Sequence, residues 1–305
     1  MRAINARSVA VFAPAKLNLF LSVGKKRGDG FHDLVSLTAM LQFGDSLWIT
    51  TREDENEDSL SCQAEGVEEL PECGPDNLIL RAAREYRDRR KIPFGLHFHL
   101  IKRIPMGAGL GGGSSDAAAV LRGLNTLVEK PIGIDRLRRM AARIGSDVPL
   151  FLQSRAAVIR GRGERVDDLE APVRARLAGR RVLVFKPGFT VRTAWAYARL
   201  DADDRPDDTG GPTGAIASLS RWLDSNDPVE AIVENTFRGI LCRKFPAYPV
   251  LLKRLETDFG LTCGISGSGS ACFAVLPDDF EKNEAGKAIA DAWGPGLFMV
   301  ESRLS

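Results

Sequence analysis

Pro105-Met-Gly-Ala-Gly-Leu-Gly-Gly-Gly-Ser-Ser-Asp-Ala-Ala-Ala119 sets five glycines against two serines and then an alanine run. The alanines start a helix. The glycines let the backbone approach an anion closely with its N–H groups turned inward, and the positive end of the helix completes a phosphate cradle. A P-loop needs lysine and then Ser/Thr directly after its second glycine, whereas Gly112 is followed by Gly113 and Ser114, so that reading fails. The dinucleotide fingerprint G-x-G-x-x-G is literally present at Gly107, Gly109 and Gly112, but it belongs after a buried, continuously apolar parallel strand. Residues 96–104 alternate instead. Leu96, Phe98 and Leu100 are expected on one face and His97, His99 and Lys102 on the other, as in a half-exposed antiparallel strand. A nicotinamide or flavin enzyme is therefore the second choice.

At 305 residues the chain exceeds the usual size of one compact core, and 44% apolar content supplies an interior, so two domains are expected. Its 42 basic and 40 acidic side chains are interspersed and leave a net charge of +2, which gives no electrostatic case for a nucleic-acid or membrane-surface partner. Cys62, Cys73, Cys242, Cys263 and Cys272 form no C-x-x-C pair and leave one unmatched. Neither a zinc site nor a disulfide framework is indicated, and a reducing cytoplasm fits best. With no apolar leader and no apolar run long enough to span a bilayer, a soluble, unexported protein is expected.

The patterning predicts a strand over 8–23, a glycine-rich turn over 24–30 and an apolar stretch over 34–43. A hairpin should follow, with arms 46–51 and 59–64 joined by a solvated acidic tip at 53–58. Helices are predicted over 77–90, 114–128 and 134–144, the last with Leu137, Met140, Ala141 and Ile144 on one stripe and Gly145 as its C-terminal cap. From residue 181 the order becomes β-α-β-β-α-β, the ferredoxin-like order, with helical insertions between the first two strands. Residues 201–214, rich in Asp, Gly and Pro, read as a loop within this half.

Three further clusters turn a phosphate loop into a kinase hypothesis. In Ala13-Pro-Ala-Lys-Leu-Asn-Leu19, Lys16 and Asn18 project from the same side of a strand; alone, Lys16 reads as an edge-strand charge. In Ile144-Gly-Ser-Asp-Val-Pro-Leu150, Asp147 sits in a tight turn, either as a turn former or as a carboxylate able to take the proton of an acceptor hydroxyl. Lys16 is a suitable partner for it and for developing phosphoryl charge. Gly264-Ile-Ser-Gly-Ser-Gly-Ser-Ala271 is a second glycine-serine loop, a flexible hairpin turn if it stood alone. Two such loops, one in each half, suggest a substrate cleft.

With these clusters together the chain resembles the galactokinase, homoserine kinase, mevalonate kinase and phosphomevalonate kinase (GHMP) superfamily over nearly its whole length. The three superfamily motifs appear in order as Pro14-Ala-Lys-Leu-Asn18, the 105–115 stretch and Ile265-Ser-Gly-Ser-Gly-Ser270. Gly28-Asp-Gly-Phe-His-Asp33, Gly145-Ser-Asp-Val-Pro149, Asn77-Leu-Ile-Leu-Arg-Ala-Ala83 and Arg160-Gly-Arg-Gly-Glu164 are similar to the branch of 4-diphosphocytidyl-2-C-methylerythritol kinases. The resemblance implies an α+β, two-domain GHMP kinase fold. Its N-terminal ATP-binding domain, ribosomal protein S5 domain 2-like, would span 1–172, and a ferredoxin-like C-terminal domain 173–305.

It further implies transfer of the ATP γ-phosphate to the 2-hydroxyl of the methylerythritol portion of a cytidine diphosphate alcohol, in the non-mevalonate isoprenoid route. Asp147 would be the base and Lys16 its partner. Pro105, Met106, Gly107, Ala108, Gly109, Leu110, Gly111, Gly112, Gly113, Ser114 and Ser115 would cradle the ATP phosphates, with Asn77 helping to line the nucleotide pocket. Asn18, Gly267 and Ser268 would contact substrate, while Phe31 stacks on the cytosine and His32 bonds its polar edge. Without the resemblance, Phe31 would read as a core anchor and His32 as a turn-stabilising group. Mg²⁺ would accompany ATP, its ligands unassigned. Asp116 stands where this branch usually has asparagine, Ser146 where alanine is common, and Asn235-Thr-Phe-Arg238 where Asn-Asp-Leu/Phe-Glu is typical. Asp116 beside a triphosphate would be repelled unless a metal lay between them, which makes it a candidate metal contact, directly or through water. A non-catalytic nucleotide-binding module is a third possibility.

Overall fold

The computed structural model describes residues 8–52, 55–203 and 211–305, with the side chains of 211–213 left aside. The first half runs β1 (Ser8–Lys26), β2 (His32–Arg52), β3 (Ser59–Ala64), α1 (Leu78–Arg87), β4 (Gly95–Lys102), α2 (Gly112–Leu127) and α3 (Ile134–Ile144). A 3₁₀ turn at Val148–Leu152 leads to β5 (Ala157–Gly161), β6 (Arg165–Asp168) and α4 (Ala171–Leu177). Then come β7 (Arg181–Lys186), α5 (Thr193–Asp201), α6 (Gly211–Asp224), β8 (Glu234–Asn235), α7 (Phe237–Lys244) and α8 (Ala247–Phe259). Finally β9 (Thr262–Ile265), β10 (Cys272–Leu276), α9 (Asn283–Trp293) and β11 (Phe298–Arg303) close the chain. Two compact units are distinguished: Met1–Ala15, Phe43–Met106 and Gly111–Arg155 form one, and Lys16–Gln42, Gly107–Leu110 and Ala156–Ser305 the other.

In the first unit β4 lies between β2, antiparallel with Ser46 opposite Ile101, and β3, parallel with Ser59 opposite His97. The expected 46–51/59–64 hairpin is therefore wrong: the two arms flank β4 instead of pairing. Parallel strands need a crossover, and α1 provides it between β3 and β4. The Asp58 carboxylate fixes this arrangement by accepting from the Leu96 N–H at 3.0 Å and from Arg87, which reaches back from α1. Of the acidic tip, residues 53 and 54 lie outside the described residues. Helices α1, α2 and α3 pack on one another, burying Ala117 to Leu121 of α2 and the predicted Leu137, Met140, Ala141 and Ile144 stripe of α3. Gly123 is what lets α2 lie close to its sheet, since a β-carbon there would clash with Ile49 and Val11.

In the second unit β7, β9, β10 and β11 form an antiparallel sheet in the order β11-β7-β10-β9. Taken in chain order that is 4-1-3-2, with α5 to α8 inserted between the first two strands, as the β-α-β-β-α-β reading requires. Phe185, Tyr248 and Trp293 form an aromatic centre with ring centroids 5.3 and 5.6 Å apart. The inner parts of β1 and β2 also belong to this unit. There β1 pairs with β8, Phe20 opposite Glu234, and β2 pairs with β5, Leu34 opposite Gly161. Most of the predicted 201–214 loop, residues 204–210, lies outside the described residues.

Candidate active site

Within the second unit, chain segments far apart in sequence meet at Lys16. Its ammonium donates to the Asn18 side-chain oxygen, and its backbone N–H donates to the Leu110 carbonyl at 3.0 Å. Both side chains are buried, at 6% and 7% exposure, which removes the edge-strand reading of Lys16. Asn18 is oriented by donating to Ser36 at 2.8 Å and Thr38 at 3.2 Å. The 265–271 loop closes on the same spot. Ser266 Oγ donates to the Gly109 carbonyl at 2.9 Å and accepts from the Asn18 N–H at 3.3 Å, while the Ala271 N–H donates to Ala108 at 2.9 Å. Gly109 has φ +78°, and a β-carbon on it would run into the Ser266 carbonyl, so only glycine fits. A β-carbon on Gly267 would come within 3.4 Å of the Lys16 ammonium and 3.5 Å of the Asn18 oxygen. Lys16, Asn18, Gly107 to Leu110 and Gly267 are thus brought together. Ser268 faces Thr193, hydroxyl to hydroxyl at 3.1 Å.

Asn235 holds this loop in place, a role the sequence reading, which flagged the Asn235 segment only as altered, did not assign. Its side-chain NH₂ donates to the Ile265 and Gly267 carbonyls at 2.7 and 2.8 Å, and its oxygen accepts from the Phe237 N–H. Such a role needs the partner carbonyls to be known, and that of Ile265 lies 30 residues further along the chain.

In the first unit the predicted helix over 114–128 begins earlier. Gly111, at φ +74°, is its N-cap, and Gly112, Gly113 and Ser114 form the first turn. The first amides of a helix have no partner within it, and no acidic side chain occupies this first turn, so the N–H groups are available to an anion. Ser115 is fully buried and its hydroxyl has no protein partner. Asn77 caps α1, accepting from the Ile79 N–H at 2.9 Å and donating to the Glu72 carbonyl at 2.7 Å. A β-carbon on Gly113 would meet Leu78 at 3.4 Å, which sets the start of α1 beside the start of α2. Pro105 is half-buried, whereas Met106 is exposed at the loop's entry. Asp147 is exposed directly after α3, at the N-cap of the 3₁₀ turn against which α2 and α3 pack.

Phe31 and His32 lie in the second unit, on the turn between β1 and β2. Phe31 is 51% exposed and not a core anchor, and the Arg162 guanidinium lies 4.7 Å above its ring. His32 is buried. Its Nδ1 lies 2.8 Å from the Gly24 carbonyl, its Nε2 3.2 Å from an Asp201 carboxylate oxygen, and its ring 5.0 Å from that of Tyr197. The turn-stabilising contact to Gly24 is therefore present, alongside an exposed aromatic face. Tyr197 and Asp201, on α5, carried no sequence signal.

Residues 77–155 match the family model described as GHMP kinases N terminal domain. The chain is 37% identical over 291 residues to a 4-diphosphocytidyl-2-C-methyl-D-erythritol kinase of Methylacidiphilum infernorum, covering 94% of each, and 36% identical to one of Synechococcus sp., covering 95% of this chain and 94% of that one. The chain belongs to the 4-diphosphocytidyl-2-C-methyl-D-erythritol kinase family. A solved structure with that kinase's name, 4-(cytidine 5'-diphospho)-2C-methyl-D-erythritol kinase, is 35% identical, with a TM-score of 0.74 over 97% of this chain and 99% of that one. Homoserine kinase from Cytophaga hutchinsonii, at 18% identity and a TM-score of 0.69, shares the fold. The dinucleotide-enzyme alternative falls with this membership. It also falls on topology, because the strand that follows the loop and its helices, β5, pairs with β2 and β6.

Two expectations for this kinase need correction. Lys102 is not on the exposed face of β4: residues 96, 98, 100 and 102 share a parity, and Lys102 is buried at 2% exposure. Its ammonium lies between Asp45, 2.5 Å away, and Asp116, 3.0 Å away. Burial opposes that charge, but the two carboxylates outweigh it and the Lys102 pKa is raised. Asp45 also accepts from the Arg103 and Ile104 N–H groups at 2.6 and 2.8 Å, pinning the chain just before Pro105. Asp116 is almost wholly buried, and burial pushes its carboxyl up to about 8, with Lys102 opposing and Asp45 adding to the rise. One of its oxygens is committed to Lys102 and the other is enclosed without a protein partner, so it does not fit as a direct ligand of Mg²⁺. No cluster of three metal-ligating side chains occurs among the described residues.

Proposed function

We propose that this chain transfers the γ-phosphoryl group of ATP to the 2-hydroxyl of 4-diphosphocytidyl-2-C-methyl-D-erythritol, in the non-mevalonate route to isoprenoids. The observation that carries this reading is the convergence of Lys16, Asn18, the Gly109 segment and the Gly267 loop, in a chain that aligns with this kinase family over 94% of its length. Phosphoryl transfer asks the protein chiefly for positioning and charge stabilisation. The N–H groups at the start of α2 serve the triphosphate, while Asn77 and Leu78 form a wall of the nucleotide pocket. Asp147 takes the proton of the acceptor hydroxyl as its oxygen attacks the γ-phosphorus and ADP leaves. Lys16, held by Asn18, stabilises the charge on the transferred group. The order of the family motifs along the chain supports that pairing. Phe31 offers a ring to the cytosine and His32 a polar edge, with Ser268 on the acceptor side. Mg²⁺ enters as part of the MgATP substrate.

No helix among the described residues is long and apolar enough to cross a membrane, and we propose a cytoplasmic enzyme handling small molecules. The decisive assay is ADP formation from ATP with the cytidine diphosphate alcohol as acceptor. Turnover that requires this acceptor and is lost in Asp147→Asn supports the reading. Turnover that persists in Asp147→Asn, or that prefers homoserine or mevalonate, overturns it.

A further inference from the structure

We propose that Cys62 and Cys73 form a reversible disulfide that weakens ATP binding, a redox control resting on the nucleotide-site reading above. The two sulfurs already lie 3.5 Å apart. Cys62 is half-buried on β3, and Cys73 is exposed on the segment leading into α1. Forming the bond requires the sulfurs to approach to about 2.05 Å, and the exposed Cys73 segment is the part able to move. Cys263 and Cys272 are buried and Cys242 half-buried, and all three belong to the other unit, so the pairing is specific to these two positions.

Cys73 is the entry point. Burial, and then the contact with Cys73, push the Cys62 thiol up to about 12, so it is a poor first nucleophile. The Cys73 thiolate attacks a low-molecular-weight disulfide, forming a mixed disulfide and releasing one thiol. Cys62 then loses its proton and attacks the Cys73 sulfur, displacing the second thiol. The two protein thiols give up two electrons and two protons, and the oxidant is reduced to two thiols.

The same segment is wired to the nucleotide site by short bonds. The carbonyl of Glu72, next to Cys73, accepts from the Asn77 side chain at 2.7 Å, and Asn77 caps the helix whose Leu78 adjoins Gly113. From the Cys62 side, Cys62 pairs with Leu100 on β4, and the Glu65 N–H donates to the Lys102 carbonyl at 2.8 Å, on the residue whose ammonium joins Asp45 and Asp116. Drawing Cys73 onto β3 pulls Glu72 away from Asn77 and disturbs the start of α1 beside the start of α2.

The test treats the full-length enzyme with oxidised glutathione or diamide, maps thiols by differential alkylation and mass spectrometry, and measures KM for ATP and for the acceptor separately. The expected result is a Cys62–Cys73 peptide 2 Da lighter than the reduced pair. KM for ATP should rise about three- to tenfold with the acceptor KM unchanged, and dithiothreitol should reverse the change. Cys73→Ser and, independently, Cys62→Ser should keep the reduced KM and no longer respond. A stable glutathione adduct on Cys73 with Cys62 still alkylatable, a disulfide with unchanged ATP KM, or an equal response in Cys73→Ser each overturns the proposal. If the reduced enzyme lacks kinase activity, the assigned function fails, while disulfide mapping still decides whether the pair closes.

Discussion

Two buried lysines occupy opposite chemical settings in this kinase. Lys16 donates to the neutral amide oxygen of Asn18 and faces a glycine loop, whereas Lys102 is clamped between Asp45 and Asp116. The first sets an ammonium against a side-chain amide and a glycine loop. The second spends that charge internally and pins the end of β4, so its value is structural. Burial alone does not distinguish them. The neighbours do.

Five substitutions break or sharpen this contrast, and the largest effect is expected on chemistry. Asp147→Asn and Lys16→Met should each lower turnover by roughly 10²- to 10⁴-fold, and single-turnover kinetics separate this loss from slow product release. Lys102→Met should act on folding instead. Removing one partner of a buried ionic cluster costs about 3–5 kcal/mol, read as a lower urea midpoint; an unchanged midpoint would erase the contrast between the two lysines.

Asp116→Asn probes the same cluster through pH. The folded-state carboxyl is raised to about 8, so between the ordinary value of 3.8 and 8 the folded chain holds a proton that the unfolded chain has released. Stability should be fully present below pH 3.8, fall as pH rises towards 8 and then level off. The asparagine variant should lack that slope, so its stability relative to the parent should rise with pH up to about 8; parallel stability profiles would refute the assignment. Phe31→Ala should have the smallest effect. Stacking on a base is worth about 1–3 kcal/mol, so acceptor KM should rise several-fold to about a hundredfold while the unfolding midpoint stays put, because the ring is half exposed.

Local patterns were readable wherever they belong to one element. The α3 stripe, the glycine loop opening α2 and the second-half order of strands and helices all appear as expected. The errors came from partners. Residues 46–51 and 59–64 read as hairpin arms because they are neighbours in sequence, but β4, arriving after a helical crossover, takes the place between them. Asp116 read as a metal contact because the triphosphate cradle was the only charge in view, while Lys102 had been assigned to the wrong face. Tyr197 and Asp201 had no motif to mark them, and Asn235 was marked only as the start of an altered family segment, since an amide clamping carbonyls some thirty residues away and an acid beside a histidine leave no local spacing.

The amino-acid sequence by itself determined the kinase family and named a candidate phosphate loop and a candidate catalytic pair, because glycines, a motif lysine and a turn aspartate in fixed order are local chemical requirements. Tertiary structure alone decided which lysine faces the loop and which lies between two carboxylates, which strand β3 joins, and that Cys62 and Cys73 stand sulfur to sulfur. Charge, pairing and reactivity depend on what the fold brings within a few ångströms, and that proximity is not written in the spacing of residues along the chain.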